Sequence, residues 1–175
     1  MVDTKAIIEA IIFASEGPIS VDKIKEVLSD VEKMEITRLL QELIDEYEKR
    51  CGGVLLQEVA GGFQFRTRSD LSSWVTKLMK GRPATLSPAA METLAVIAYK
   101  QPVVKSEIDR IRGVDVGSSL KSLLEKKIVR IMGRKDVPGK PIMYGTTKKF
   151  LEVFNLKDLS ELPTLKELKD LQDGT

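Results

Sequence analysis

The apolar positions of this chain recur at two spacings, and the switch between them lays out one order of elements twice. In the first half Ile7, Ile8, Ile11 and Ile12 fall at helical spacing, with Asp3 or Thr4 as the residue that caps the helix start. Gly17-Pro18 stops that helix, since proline offers no backbone donor and fixes its own φ. Ser20 then caps a short helix carrying Ile24, Val27 and Leu28. A third helix, from about Lys33 to Arg50, places Ile36, Leu39, Leu40, Leu43, Ile44 and Tyr47 on one stripe and ends at Gly52-Gly53. There the period changes. Two β-prone runs, Val54 to Val59 and Phe63 to Thr67, flank Ala60-Gly61-Gly62, which predicts a hairpin. Asp70 caps a closing helix with Leu71, Trp74, Val75 and Leu78 on its inner face, and Lys80-Gly81-Arg82-Pro83 reads as a linker.

The second half follows the same plan. Ser87-Pro88 starts a helix that buries Leu94, Ile97 and Ala98 and stops at Pro102. A short helix with Ile108 and Ile111 ends at Gly113, and Asp115 or Ser118 opens a third with Leu120, Leu123 and Leu124. The runs Ile128 to Met132 and Ile142 to Thr146 predict a second hairpin around Gly133 to Pro141, and Thr147 caps a last helix with Phe150, Leu151, Val153 and Phe154. At an offset of 84 residues Ala14 matches Ala98, Pro18 Pro102, Ile24 Ile108, Val27 Ile111, Ile36 Leu120, and Leu39-Leu40 Leu123-Leu124. These read as the core positions of a duplicated helix-turn-helix. The expected fold is mainly α with small β-hairpins (α+β), as two tandem winged-helix domains at 1–80 and 84–155 and a tail at 156–175. A single all-helical bundle is the rival, and both hairpins argue against it. In the tail, Leu156, Leu159, Leu162, Leu165 and Leu168 step by three around Pro163, which suggests local packing near its start and fraying toward Asp173-Gly174-Thr175.

Composition sharpens this picture in two places. The net charge of +2 is uneven: residues 1–80 sum to −3 and residues 81–175 to +5, so the halves are expected to meet different partners. One cysteine, Cys51, excludes an internal disulfide and suits a reducing cytoplasm. No apolar run reaches the roughly 18–20 residues of a membrane helix, and the N-terminus is too polar for a signal peptide.

Catalytic chemistry has little to start from. The absence of histidine removes histidine acid–base work and histidine metal ligation, and one cysteine cannot build a thiolate zinc site. No catalytic residue, metal site or cofactor is expected. Gly133-Arg-Lys-Asp-Val-Pro-Gly139-Lys140-Pro141 resembles a phosphate loop, yet five residues rather than four separate its glycines and Pro141 stands where Ser or Thr would hold magnesium. It also lies between two strands rather than between strand and helix. A structured wing is the better reading: Pro138, Gly139 and Pro141 restrict the turn and lower the entropy lost on docking.

Nucleic acid is the other class to weigh. Residues 126–149 hold Lys126, Lys127, Arg130, Arg134, Lys135, Lys140, Lys148 and Lys149 against Asp136 alone. The third helix of the second half, however, offers Ser118, Ser119, Lys121, Ser122 and Glu125 outward, short of the Arg, Asn and Gln that read base edges. Its counterpart in the first half exposes Glu42, Asp45 and Glu46, which repel phosphates. Sequence-specific binding by both halves is not expected. Weak, non-specific DNA contact by the second wing stays open, a DNA-binding transcriptional regulator is the alternative function, and a protein interface fits the same surface equally well.

At Leu86-Ser-Pro-Ala-Ala-Met-Glu-Thr-Leu-Ala-Val-Ile-Ala-Tyr-Lys-Gln-Pro102 the chain resembles the segregation and condensation protein B (ScpB) family. The resemblance continues through Glu107-Ile108, Ile111-Arg112-Gly113-Val114, Leu123-Leu124-Glu125-Lys126 and Gly133 to Pro141, then Tyr144-Gly145-Thr146-Thr147 and Leu159-Ser160-Glu161-Leu162-Pro163. In the first half it is carried by layout and by Ala14-Ser15-Glu16-Gly17-Pro18-Ile19.

The resemblance implies a non-enzymatic subunit of the bacterial SMC condensin-like complex, cytoplasmic and nucleoid-associated. Two such chains pair through their N-terminal winged helices and bind the kleisin ScpA, which bridges the ATPase heads of the SMC protein. The complex condenses and partitions chromosomes during cell division. Two residues depart from the family pattern. Val104 stands where a capping threonine is common, and Lys140 where arginine is common, keeping the charge but losing the bidentate fork. The partner-facing or wing-shaping set expected in the second half is Tyr99, Gln101, Arg134, Lys135, Asp136, Pro138, Gly139 and Tyr144. Tyr99 and Tyr144 serve equally well as core residues with a wet hydroxyl.

Overall fold

Four helices begin where a short polar side chain accepts from the first exposed amides. Asp3 accepts from Lys5 N (3.2 Å), Ser20 from Lys23 N (3.3 Å), Ser87 from Ala90 N (3.2 Å) and Thr147 from Phe150 N (3.3 Å). The computed structural model describes residues 3–79, 85–164 and 167. The linker expected at 80–83, the tail positions Leu165 and Leu168 and the chain end lie outside those residues. The described chain is mixed α and β, with eight α-helices and two small antiparallel sheets. It divides into two compact units, Met1–Pro83 with Asn155–Thr175, and Ala84–Phe154.

In the first unit α1 (Thr4–Ala14), α2 (Val21–Val27) and α3 (Lys33–Lys49) precede a hairpin of β1 (Val54–Val59) and β2 (Gly62–Thr67). A 3-10 turn, Ser69–Leu71, leads into α4 (Ser72–Leu78). Ile8, Ile12, Ile24, Ile36, Leu39, Leu40, Leu43 and Leu56 form the core, as helical spacing requires of residues sharing a face. The chain before α2 joins the hairpin: Ile19 N donates to Phe63 O (3.0 Å) and Phe63 N to Ile19 O (2.8 Å). The tail returns to this unit as well. Ala60 N donates to Leu156 O (2.8 Å), Gly61 N to Lys157 O (3.0 Å), and Lys157 pairs with Glu58 at 3.3 Å. The hairpin turn therefore has its amides satisfied by residues almost a hundred positions away in sequence.

In the second unit α5 (Pro88–Lys100) is followed by a short strand β3 (Val103–Val104), α6 (Lys105–Arg112), α7 (Gly117–Glu125), β4 (Val129–Arg134), β5 (Ile142–Thr146) and α8 (Lys148–Val153). The sheet order is β3-β5-β4, all antiparallel, with a bulge in β4 between Ile131 and Gly133. Leu94, Ile97, Val103, Ile108, Leu120, Leu123 and Phe150 are buried. The strand β3 was not expected; two valines after a proline are too short a run to carry a periodic signal.

Several expectations need correction. Asp70 does not cap α4; it lies in the 3-10 turn and pairs with Arg68 at 3.2 Å. The face expected to point inward on α4 is largely uncovered, with Trp74 66% and Leu78 81% exposed. Periodicity shows that these side chains share a side, while α1 to α3 and Leu56 already fill the core. Of the matched positions, Ile24 and Ile108, Ile36 and Leu120, and Leu39 and Leu123 are buried, whereas Val27 and Ile111 are exposed. Ala14 is exposed and Ala98 buried. In the first unit Leu28 and Val31, which follow Val27 in sequence, pack against the core where Val27 does not. Neither Asp115 nor Ser118 caps α7. Val116 stands at its start without a side-chain bond, and Asp115 accepts instead from Gly117 N (3.1 Å).

Gly62 tests the first unit. A Cβ there would lie 2.8 to 2.9 Å from the backbone of Ile19, which cannot withdraw without breaking both of its bonds to Phe63. Gly62→Ala should lower unfolding stability by about 1–3 kcal/mol in chemical denaturation. Gly61→Ala has open space but φ +72°, so its loss should come from backbone strain alone and be smaller.

Candidate functional site

The best-built exposed feature of the second unit is the β4–β5 hairpin, and its shape is set at both ends. At the base, Thr147 N donates to Ile128 O (3.1 Å) and Ile128 N to Leu123 O (3.1 Å), which ties the hairpin to α7. On the β3 side Gln101 reaches across from the end of α5. Its Oε1 accepts from Thr146 N at 2.7 Å, and its Nε2 donates to Thr146 Oγ1 (3.0 Å) and Ala98 O (3.3 Å). Room for this carboxamide exists because position 145 is glycine: a Cβ there would lie 2.8 Å from Gln101 Oε1 and overlap Met132 Sδ.

The tip closes on itself. Lys135 N donates to Pro141 O (2.9 Å), Val137 N to Lys135 O (3.0 Å), Lys140 N to Val137 O (2.9 Å), and Arg134 Nη1 to Lys140 O (3.0 Å). Gly139 takes φ +83°, a left-handed conformation that a side chain resists. Lys135 Nζ then donates to Glu107 Oε1 at 2.9 Å, anchoring the tip to the first turn of α6. That bond, followed by the same lysine's charge, holds the Glu107 carboxyl below its ordinary value. The α6–α7 turn is braced in a similar way. Lys105 Nζ bonds Asp109 (2.8 Å) and Asp115, Asp109 accepts from Val116 N (2.9 Å), and both carboxyls are lowered by the lysine.

These distances sort the expected residues. Arg134, Lys135, Asp136, Pro138 and Gly139 are brought together, all exposed, at the tip. Tyr144 is 9% exposed and pairs with Val103 and Ile131 inside the sheet, while Gln101 is half-buried as a brace. Tyr99 is exposed on the last turn of α5, apart from the tip in the chain's order of elements. Glu107 and Gly145, which position the hairpin, went unnoticed in the sequence because neither belongs to a local pattern. Both lay within stretches that carried the family resemblance.

The first unit has a second candidate, a cavity of about 390 Å³ lined by Ala10, Phe13, Tyr47, Arg50, Gly53 and Phe65 among others. Phe13 and Phe65 meet edge-on at 6.4 Å between ring centroids, and Tyr47 OH donates to Glu9. That bond, then burial, raises the Tyr47 hydroxyl above its ordinary value. Among the described residues no group of three or more His, Cys, Asp or Glu is placed to hold a metal, and no helix is long and apolar enough to cross a membrane.

A braced basic hairpin in one unit and an uncovered apolar helix face in the other describe a two-unit protein whose most developed features are surfaces. Comparison with known proteins gives the family. The model of segregation and condensation complex subunit ScpB matches residues 6–165, and the chain belongs to that family. It is 49% identical over 170 residues to segregation and condensation protein B of Syntrophotalea carbinolica, covering 97% of this chain and 86% of that one. Identity to the protein of the same description from Myxococcus xanthus is 44%, covering 95% of this chain and half of that one. A crystal structure of a dimer of the ScpB N-terminal domain complexed with ScpA peptide is 32% identical at a TM-score of 0.38, covering 42% of this chain and 91% of that one. The family assignment rests on the sequence matches.

The ion pair at the tip has a pH consequence. Because the folded value of Glu107 is depressed, its stabilising contribution is complete above its ordinary value of 4.5 and is lost as pH falls through the lower folded value. Glu107→Gln should remove this dependence and, at neutral pH, increase fast backbone motion at residues 135–139 in 15N relaxation, with little change in Tm. Unchanged relaxation at the tip would mean that the ion pair does not hold it.

Proposed function

We propose that this chain is a non-catalytic subunit of a bacterial SMC condensin-like complex, a homodimer that binds the kleisin ScpA and supports chromosome condensation and partition. Membership of the ScpB family is the observation that carries this reading. In it the two units are tandem winged helices, with domains at 1–80 and 84–155 and a tail at 156–175. The SMC protein is reached indirectly, through ScpA, and the chain works in the cytoplasm at the nucleoid.

The first winged helix is the dimerising one. Phe13, Trp74, Leu78 and Met79 are all more than 60% exposed there, and large apolar side chains left in water favour a protein interface. The second winged helix meets the kleisin, with Arg134, Lys135, Asp136, Pro138 and Gly139 at the contact and Tyr99 as a separate exposed point on α5. Gln101 and Tyr144 shape the wing from behind. A pre-shaped tip favours binding, because less conformational freedom is lost on docking.

The alternative, a DNA-binding transcriptional regulator, is favoured by the excess of cations on the hairpin and opposed by the Ser-rich outward face of α7. Sedimentation of the purified chain, alone and with the ScpA of the same organism, tests the main reading. A dimer alone and one co-sedimenting complex with ScpA are expected. A monomer that stays separate from ScpA at micromolar concentration would overturn it.

A further inference from the structure

The sequence drew attention to the hairpin tip. The geometry extends the surface from the tip down the flank of the hairpin, along β4. We propose that Arg130, Ile131, Met132, Arg134, Val137 and Lys140 form a docking surface for a polypeptide segment in which acidic and apolar residues alternate. The proposal rests on the reading that ScpA binds the second unit, and names the chemistry of the ScpA segment that does so.

β4 is the last strand of the β3-β5-β4 sheet, so no described strand covers its outer side. Ile131 is 55% exposed, and Met132 and Val137 are exposed to a similar degree. Cations interleave with these apolar side chains. Of the basic residues from 126 to 149, Lys135 is paired with Glu107 and Lys149 with Glu152. Lys126, Lys127, Arg130, Arg134 and Lys140 have no ion pair with a described carboxylate, and Asp136 is the single acidic residue in the interval.

The arginines are also held in place. Arg130 Nε donates to Thr146 O (3.3 Å) and Arg134 Nη1 to Lys140 O (3.0 Å), so each guanidinium is positioned while part of its donor set stays available. The surface is thus charged, apolar and preorganised.

Three occupants compete for it. A second copy of this chain would set Arg130 and Arg134 against like charges, which disfavours pairing across this edge. Phosphate contacts with duplex DNA would use the cations and leave Ile131, Met132 and Val137 in water. A single nucleic-acid strand needs aromatic side chains to stack on, and none lies between residues 126 and 143. An acidic-apolar polypeptide uses every exposed group. The bulge between Ile131 and Gly133 breaks the even spacing that a long added strand would read, so recognition comes from side chains rather than from an extended backbone ladder.

The test measures binding of the full chain to purified ScpA by fluorescence anisotropy, at low and moderate salt, beside a duplex DNA of mixed sequence. Arg130→Glu with Arg134→Glu should weaken ScpA binding about tenfold or more and flatten its salt dependence. Ile131→Ser should weaken it with the salt dependence kept. Circular dichroism melting identifies a variant that fails to fold, and Lys140→Glu at the exposed tip then stands in for the double variant. Wild-type binding that both charge variants and Ile131→Ser leave unchanged would overturn this inference while leaving the kleisin reading intact. No ScpA binding by the wild type would overturn the kleisin reading itself. If the charge variants abolish duplex binding but leave ScpA affinity untouched, the surface is a nucleic-acid site and the inference fails.

Discussion

The second unit depends on one carboxamide. Gln101 sits where α5 ends and the sheet begins, and it takes up the Thr146 amide that β4 cannot reach from the other side. Thr146 is buried, so its polar groups need a partner within the protein, and Gln101 supplies both an acceptor and a donor. Gly145 makes the arrangement sterically allowed by leaving out a side chain. Without this brace the hairpin would be joined to the helices through its base, the two-residue β3–β5 ladder and the Lys135–Glu107 pair, and exposed ion pairs hold geometry weakly. The direction in which the hairpin points is therefore decided in the interior, far in sequence from the residues that face outward.

Much of the architecture was legible in the sequence. Capping residues at four helices, helical spacing and β-prone runs around glycine turns located the helices and both hairpins, because such signals are local and leave a mark in any short window. Coverage was not legible. Trp74, Leu78, Val27 and Ile111 sit at positions that match a buried stripe, yet each faces solvent, since periodicity reports which side chains share a face and not what lies opposite. Longer links were silent as well. Lys135 and Glu107 are 28 residues apart, and Leu156 meets Ala60 across the whole second unit in sequence. Gln101 and Tyr144 drew attention through the family resemblance as partner-facing or wing-shaping residues, and their surroundings are those of wing-shaping supports.

The two units solve similar packing problems and leave different remainders. In the first, an apolar helix face and an aromatic cavity are left open beside a core of isoleucine and leucine. In the second, the remainder is charge interleaved with aliphatic side chains on a hairpin that its own backbone holds rigid. This division agrees with the opposite net charges of the two halves. It also accords with membership of a family of complex subunits.

The brace is open to direct measurement. Amide hydrogen exchange of the full chain at neutral pH reports on Thr146, whose N–H has the Gln101 carboxamide as its acceptor. Exchange as slow as that of core amides on α5, such as Leu94 or Ile97, is the result expected of a hairpin fixed from within. A Thr146 amide exchanging as fast as those of the exposed tip would show that the clamp opens freely, and the account of a pre-shaped partner surface would fail.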